Sequence, residues 1–220
     1  MRLHNTTHLD TTRLEQMMLA AIDGWPRDGL EVGVRYSRGA EFSGTCFYKE
    51  RKIYINLGRR NRYPYAVRTN IACARSDRRS WWREVYCLHV ADAYQLALFI
   101  FLHEFYHWLV KKARRNIRQK ESRCDRFATR ALVERFNAPV LDSSGGPVPR
   151  AAWDFQDLDG FVAAAGRPAR RVPARKLRAA RRPTALQPPP SPAMDSGGQP
   201  LFGWGVVRAH RRPQVGPRPV

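Results

Sequence analysis

The sequence predicts an α+β domain over residues 1–137, followed by a Pro/Arg-rich, mostly disordered basic tail over residues 138–220. Before residue 137, segments with alternating apolar residues are interspersed with segments whose apolar residues recur at helical spacing. That mixture is typical of a small α+β domain. Most of the 16 prolines lie after this point, among many arginines and with little periodic apolar content. A short helix over residues 151–165 is the one element expected there.

The first predicted elements are a helix and a β-hairpin. Thr12 opens a capping-box pattern, and apolar residues follow at helical spacing over residues 12–22. Residues 30–36 alternate between apolar and polar side chains, which predicts a strand. Residues 42–48 and 52–57 flank a short polar segment, and this arrangement predicts a hairpin.

Residues 58–80 are polar and rich in arginine, with aromatic residues among the arginines and directly after them. Two interpretations remain open. Basic and aromatic groups can grip a nucleic-acid backbone and stack on its bases. Alternatively, Trp81 and Trp82 anchor a loop to the core, and the usual burial of tryptophan favours this second interpretation. Residues 85–90 then predict a short buried strand that leads into the central helix.

The central predicted helix spans residues 92–115, with Asp92 as its N-cap and several cationic residues in its last turn. Most of its residues are apolar, but residues 103–107 read HEFYH. Positions i and i+4 of a helix lie on the same face, so His103 and His107 can converge on one metal ion. Glu104 projects beside them, where a carboxylate reaches a water bound to that metal.

Two histidines do not complete a catalytic zinc site, which usually has three protein ligands and a water. The next predicted helix, residues 118–136, supplies the carboxylates Glu121 and Asp125. One continuous helix would separate His107 from Glu121 by roughly 21 Å at about 1.5 Å per residue, so the chain must fold back. Asn116 suits such a turn because asparagine tolerates the left-handed conformation. A hairpin centred there leaves both carboxylates open as the third ligand.

These residues resemble a known family. Residues 103–107 and the later segment 121–128, which reads ESRCDRFA, resemble the HExxH…ExxxD pattern of gluzincin-type zinc metallopeptidases. The pattern is most similar to that of the ImmA/IrrE-type metallo-endopeptidases, and more distantly to that of the HtpX-type membrane peptidases. Cys124 stands where the family usually has alanine, and the interval between the two segments is short. The resemblance covers roughly residues 85–136 and implies a zincin-like fold, with a short β-hairpin or sheet packed on the HExxH helix and a ligand-bearing helix after it.

The resemblance also implies a role for each residue of the pattern. His103, His107 and Glu121 are the expected ligands of a Zn²⁺ ion, and Glu104 is the expected general base of a hydrolase. Asp125 is expected to orient a ligand histidine, and it remains the alternative third ligand. On this basis we expect a zinc-dependent metallopeptidase that hydrolyses peptide bonds of a protein or peptide substrate.

The composition adds expectations about partners. A net charge of +20 and a pI near 10.9 favour salt-sensitive binding to nucleic acid or other anionic surfaces, although a solvated arginine-rich surface would have the same composition. The alternative function is therefore a basic nucleic-acid-binding protein with a structural or inactive HExxH metal site.

The sequence also indicates a compartment. The four cysteines form no CxxC pair, which is typical of reduced thiols in the cytoplasm. The first 22 residues lack the apolar core of a secretory signal. The longest apolar run, residues 96–102, is too short to span a bilayer. We therefore expect a cytoplasmic protein without a membrane segment.

Overall fold

The computed structural model describes residues 1–115 and 120–163, and these residues form a mixed α+β fold with two β-sheets and four α-helices. The predicted α+β class is thereby confirmed. In chain order the elements are β1 (Arg2–Asn5), α1 (Thr11–Ala21), β2 (Glu31–Tyr36), β3 (Phe42–Phe47), β4 (Lys52–Leu57), β5 (Tyr65–Ser76), β6 (Trp81–Val90), α2 (Ala93–Lys112), α3 (Lys120–Phe136), β7 (Val140–Leu141), a 3-10 turn (Arg150–Ala152) and α4 (Leu158–Ala163).

The first sheet has the strand order β1-β2-β4-β3. The first three of these strands are parallel, and β3 pairs antiparallel with β4, so the predicted hairpin is confirmed. Alternate residues of β4 (Ile53, Ile55 and Leu57) are buried on the face that packs against α2. Each such aliphatic side chain contributes about 1.5–3 kcal/mol when it is fully buried, so this face holds the sheet to the helix.

The second sheet has the order β5-β6-β7, and β5 and β6 form a long antiparallel hairpin. Strand β5 occupies much of the segment that the sequence analysis treated as a polar loop. Its buried residues Val67, Thr69 and Ile71 alternate with exposed residues, as in a strand with one buried face. The many polar residues of the segment had suggested a loop instead. The preferred interpretation of Trp81 and Trp82 as core anchors is wrong, because both side chains are exposed near the tip of this hairpin.

The helix starts reflect local capping chemistry. The N-cap of α1 lies two residues before the predicted one, since Asp10 rather than Thr12 caps the helix: its carboxylate accepts a hydrogen bond from the Arg13 N–H at 2.6 Å. The predicted cap of α2 is confirmed, since the Asp92 carboxylate accepts from the Gln95 N–H at 2.8 Å. In both helices the cap satisfies an N–H group that has no partner within the helix.

Helix α2 is the core of the fold. It packs against β3, β4 and α3, and its middle is buried on every face, from Leu96 to Leu102 without interruption. A helix that is apolar all round requires such a surrounding. Among the described residues, no helix combines the length and the apolarity needed to cross a bilayer.

The predicted boundary at residue 137 differs from the structure, where the chain beyond it packs on the domain. Strand β7 pairs with β6, and Trp153 and Leu158 are each only 1% exposed. The Arg126 guanidinium donates to the Trp153 carbonyl at 2.8 Å, and the Tyr106 hydroxyl donates to the Leu158 carbonyl at 3.0 Å. The one helix expected over residues 151–165 is instead the 3-10 turn and α4. Most of the predicted disordered tail, residues 164–220, lies outside the described residues, as does Asn116.

Candidate metal centre

The two histidines of the HEFYH segment lie one turn apart on α2 and face the same point. Their Nε2 atoms are 3.0 Å apart, and each side chain is almost entirely buried. Burial of two imidazoles in an otherwise apolar helix is costly unless their nitrogens are used. The convergence of both Nε2 atoms is the geometry expected when one cation uses both lone pairs.

Glu121 completes a triangle of donor atoms. Its Oε2 lies 3.3 Å from His103 Nε2 and 3.5 Å from His107 Nε2. Three ligand atoms at tetrahedral angles and about 2.0–2.1 Å from a zinc ion would lie about 3.4 Å from one another. The observed separations are close to that value, so these three side chains fit a tetrahedral metal with one position left over. Helix α3 packs against α2, so Glu121 lies beside the histidines although it is 14 residues after His107 in the sequence.

Asp125 lies on the other side of His103. Its Oδ1 is 2.6 Å from His103 Nδ1, and the carboxylate is almost fully buried. The Nδ1–H donates to this carboxylate, so Nε2, which faces the donor triangle, is the nitrogen of His103 that can bind a metal ion. The two carboxylates that were candidates for the third ligand therefore have different positions. Glu121 faces the point shared by the two histidines, and Asp125 orients the ring of His103.

Asn70 holds Asp125 in place, and the sequence analysis did not identify it. Its backbone N–H and its side-chain Nδ2 both donate to Asp125 Oδ2, at 2.5 and 2.9 Å. The N–H is available because β5 leaves register with β6 between Arg68 and Ala72. Such an irregularity frees backbone groups from the ladder and redirects them. An asparagine within a strand is the only local signal, since strands disfavour that residue.

The charges of the cluster favour a cation. Burial disfavours the protonated ring of His103, but hydrogen bonds to Asp125 and Glu121 outweigh this and raise its pKa to about 10. The same contacts with His103 and His107 hold the pKa of Glu121 far below its usual range. Two carboxylates around two imidazoles therefore stabilise positive charge at their centre, supplied by a proton or by a metal ion.

The Nδ1 atom of His107 is the exception in this network. It is buried and has no hydrogen-bond partner among the described residues. His107 is therefore fixed through its Nε2 and through packing, whereas His103 is fixed at both nitrogens. A metal ion held at the shared point would add a further restraint on the His107 ring through Nε2.

Glu104 lies against β3. A Cβ atom placed on Gly44 would be only 2.5 Å from Glu104 Oε1 and 2.7 Å from its Cγ, which real side chains do not tolerate. Strand β3 therefore approaches the carboxylate closely because residue 44 has no side chain. Gly44 was not among the residues predicted to form the site, although an isolated glycine in a strand often marks a place where another group approaches the backbone closely.

Tyr48, directly after β3, belongs to the same region. Burial raises the pKa of its hydroxyl to about 12, and the negative charges of Cys46, Glu104, Cys124 and Glu121 contribute in the same direction. Its phenol consequently stays protonated at neutral pH and remains a hydrogen-bond donor.

Cys124 is a further donor that the sequence analysis treated only as a departure from the family pattern. His103, His107 and Cys124 are all buried, and each offers a ligand atom within 4.8 Å of the other two, so this group can bind a metal ion. Cys124 lies one turn from Glu121 on α3 and therefore faces the same side of that helix. No disulfide joins it to any of the other three cysteines, all of which lie in the described part of the chain.

No protein-family model matches the chain, and neither the curated proteins nor the solved structures include a detectable relative. The resemblance to gluzincins consequently depends on residues 103–107 and 121–128 and on the geometry of the cluster alone.

Proposed function

We propose that the chain is a zinc-dependent metallopeptidase of the gluzincin type, with a zincin-like fold, that hydrolyses peptide bonds of a protein substrate. The observation that supports this most strongly is the triangle formed by His103 Nε2, His107 Nε2 and Glu121 Oε2, with sides of 3.0, 3.3 and 3.5 Å. Three protein ligands and one open position are characteristic of catalytic rather than structural zinc sites.

The positions of the side chains support a mechanism. His103, His107 and Glu121 would hold a Zn²⁺ ion, which would supply a Lewis acid that lowers the pKa of a water toward about 7. The Glu104 carboxylate would accept a proton from the water whose oxygen attacks the peptide carbonyl carbon. Glu104 then gives the proton to the leaving nitrogen as the C–N bond breaks. We assign the hydrogen-bond donor to the developing oxyanion to the Tyr48 hydroxyl, because it interacts electrostatically with both Glu104 and Glu121 and stays protonated at neutral pH.

The substrate class is proposed from the position of β3. In the sheet as described, β3 is an edge strand, and Gly44 brings its backbone against Glu104. An extended peptide can pair with the backbone of such an edge and be held across the catalytic residues without any particular side chain. This mode of binding suits a flexible segment of a protein substrate.

A structural metal site is the second candidate, and Cys124 is the observation that favours it. A thiolate added to the two histidines and Glu121 would make a closed, four-coordinate site with no position for water. The open site is favoured because the sides of the Glu121 triangle match the distances between ligand atoms of a tetrahedral zinc ion.

Metal analysis combined with a protease assay tests the proposal. The purified chain should contain one zinc per molecule and should hydrolyse fluorescein-labelled casein. Glu104→Gln should keep the zinc and lose the hydrolysis, whereas Glu121→Ala should lose the zinc. Cys124→Ala should keep both under this proposal but should lose the metal if the site is structural. A wild-type chain that takes up no metal, or a Glu104→Gln variant with undiminished hydrolysis, would disprove the peptidase.

A further inference from the structure

The tip of the β5–β6 hairpin exposes two adjacent tryptophans. The exposed fraction is 73% for Trp81 and 48% for Trp82. Within the described residues, neither indole contacts another aromatic ring or lies under a cationic side chain. Exposed pairs of large aromatic residues are unusual on a protein surface, and they mark a contact surface more often than chance placement.

The strand register places one indole on each face of the hairpin. Trp82 lies directly opposite Arg75, and Trp81 lies opposite Ser76. Successive side chains of a strand point to opposite faces, so Arg83 shares a face with Trp81. Arg75 is paired with Glu84 at 2.6 Å, whereas no carboxylate among the described residues lies within ion-pair distance of Arg83. Each exposed ring therefore has a guanidinium on its own face.

The turn between the strands is closed by internal hydrogen bonds and carries a net positive charge. The Asp77 carboxylate accepts from the N–H groups of Arg79 and Ser80, at 2.8 and 2.7 Å, and the Asp77 N–H donates to the Ser80 carbonyl at 2.9 Å. The side chains of Arg78 and Arg79 are exposed, and no ion pair in the described part of the chain involves either one. The turn thus presents two guanidiniums without ion-pair partners, on a backbone held by these hydrogen bonds.

We propose that this hairpin tip binds single-stranded nucleic acid: Trp81 and Trp82 stack on bases while Arg78, Arg79 and Arg83 contact phosphates. Aromatic side chains combined with a basic surface form the common design of sequence-tolerant single-strand binding. The net charge of +20 supports attraction to a polyanion over a longer range. This binding site does not depend on the metal centre or on the proposed peptidase.

The position of the charges argues against a lipid surface. Trp81 and Trp82 flank the hairpin, and the turn that extends beyond them contains Asp77, Arg78 and Arg79. A membrane anchor would have to bury this charged apex more deeply than its rings, which is costly. A base-paired duplex fits less well than a single strand, because its bases are already stacked on one another and do not offer their faces.

The test measures fluorescence anisotropy with the full chain and labelled single strands of about 12 nucleotides, a length comparable to known single-strand sites. Four probes are compared at about 0.15 M salt, which limits non-specific charge effects: oligo-dT, oligo-U, a base-free strand of the same length, and a duplex. Vesicles containing phosphatidylserine form the lipid probe. The variants are Trp81→Ala/Trp82→Ala and Arg78→Ala/Arg79→Ala, with Arg2→Ala/Arg60→Ala as a charge-matched control from exposed positions outside this hairpin.

The wild-type chain should bind oligo-dT or oligo-U at least about tenfold more tightly than the base-free strand, because stacking adds to the charge attraction. Trp81→Ala/Trp82→Ala should remove that difference and leave binding of the base-free strand unchanged. Arg78→Ala/Arg79→Ala should weaken the binding of base-containing and base-free strands alike. It should also reduce the salt dependence of that binding more than the Arg2→Ala/Arg60→Ala control does. A preference for oligo-dT over oligo-U, or the reverse, would identify the kind of nucleic acid.

Three results would overturn the proposal. The first is a wild-type chain that does not distinguish base-containing from base-free strands. The second is tighter binding of the duplex than of either single strand. The third is a Trp81→Ala/Trp82→Ala variant that loses its binding to vesicles but binds the single strands as the wild type does. Circular dichroism and melting temperature establish that each variant is folded, and truncation of the two exposed rings leaves the buried core unchanged.

Discussion

Asn70 donates two hydrogen bonds to Asp125, one from its backbone and one from its side chain, and thereby fixes the carboxylate that orients His103. Strand β5 of the second sheet is thus joined to α3, which packs on α2, and α2 in turn packs against the first sheet. Outer contacts of this kind typically change metal affinity by about 10–100-fold when they are removed.

We therefore predict that Asn70→Ala weakens zinc binding by about tenfold, since the backbone hydrogen bond remains. Asp125→Asn should weaken it further, because the amide is a poorer acceptor for the His103 N–H and carries no charge. Competition with a fluorescent chelator measures both affinities. Asn56→Ala, on the first sheet, removes hydrogen bonds to Arg35 and Ser43 and serves as the control. Equal zinc affinity in Asn70→Ala and wild type would show that this contact does not tune the site.

Gly44→Ala tests the close approach of β3 to Glu104. The added methyl group would overlap the Glu104 carboxylate, so either the strand or the side chain must move. Overpacking of this kind costs typically about 1–3 kcal/mol. We predict that the variant keeps its zinc, because the ligands are unaffected, and loses most of its casein hydrolysis. Thr45→Ala changes the neighbouring exposed residue and should be active. A fully active Gly44→Ala would mean that Glu104 does not need its observed position.

Tyr48→Phe tests the proposed hydrogen bond to the developing oxyanion. Loss of one such donor lowers kcat by about 10²–10³-fold in well-studied hydrolases. We predict a decrease in kcat with little change in KM and no change in zinc content. Steady-state kinetics on a quenched peptide derived from a casein cleavage site separates these effects. Tyr54→Phe on the neighbouring strand should leave kcat unchanged. A rise in KM alone would assign Tyr48 to substrate binding instead.

Trp153→Ala tests whether the segment after residue 137 belongs to the domain. The side chain is 1% exposed, and truncation of a large buried aromatic costs typically about 3–5 kcal/mol. We predict a lower free energy of unfolding by that amount in urea titrations. Phe155→Ala is the matched control, because Phe155 is 63% exposed and its contact with Arg126 contributes only about 0.5–1 kcal/mol. Equal stabilities of the two variants would contradict the docking of this segment.

Removal of metal should destabilise the whole domain. The donor and supporting residues come from β5, α2 and α3, so a bound ion links two helices and a strand of the second sheet. A ligand at a concentration of 1,000 times its Kd stabilises the folded state by about 4 kcal/mol. We predict that EDTA lowers the melting temperature of the wild type, with no effect on a His103→Ala/His107→Ala variant. An unchanged melting temperature in the wild type would exclude tight metal binding.

Local patterns in the sequence predicted much of the fold and of the metal centre. Helical periodicity identified α2, and its phase brought His103 and His107 together; the i, i+4 rule needs no tertiary information. Helix dimensions required a fold-back after His107, whereas the choice of Glu121 as the third ligand came from the resemblance to the gluzincin pattern. Strand alternation likewise predicted the β3–β4 hairpin. Each of these inferences depends on spacing along one continuous segment.

The parts that the sequence analysis missed depend on contacts between distant segments. Asn70 acts only because β5 leaves its register there, and no local pattern specifies that irregularity. Gly44 matters only because Glu104 lies beneath it. Trp153 was assigned to the tail because prolines and arginines dominate the composition around it. In the structure it is buried, and its carbonyl accepts a hydrogen bond from Arg126 of α3.

The distribution of these residues has a consequence for engineering a minimal metal-binding unit. A fragment limited to residues 93–136 would carry all three donor side chains. It would lack Asn70, which hydrogen-bonds to Asp125, and Gly44, whose strand packs against Glu104. Transplanting the motif into a two-helix scaffold should therefore yield a zinc binder without hydrolytic activity. A graft of this site therefore needs two additional strands to reproduce its chemistry: one that holds Asp125, as β5 does, and one that packs against Glu104, as β3 does.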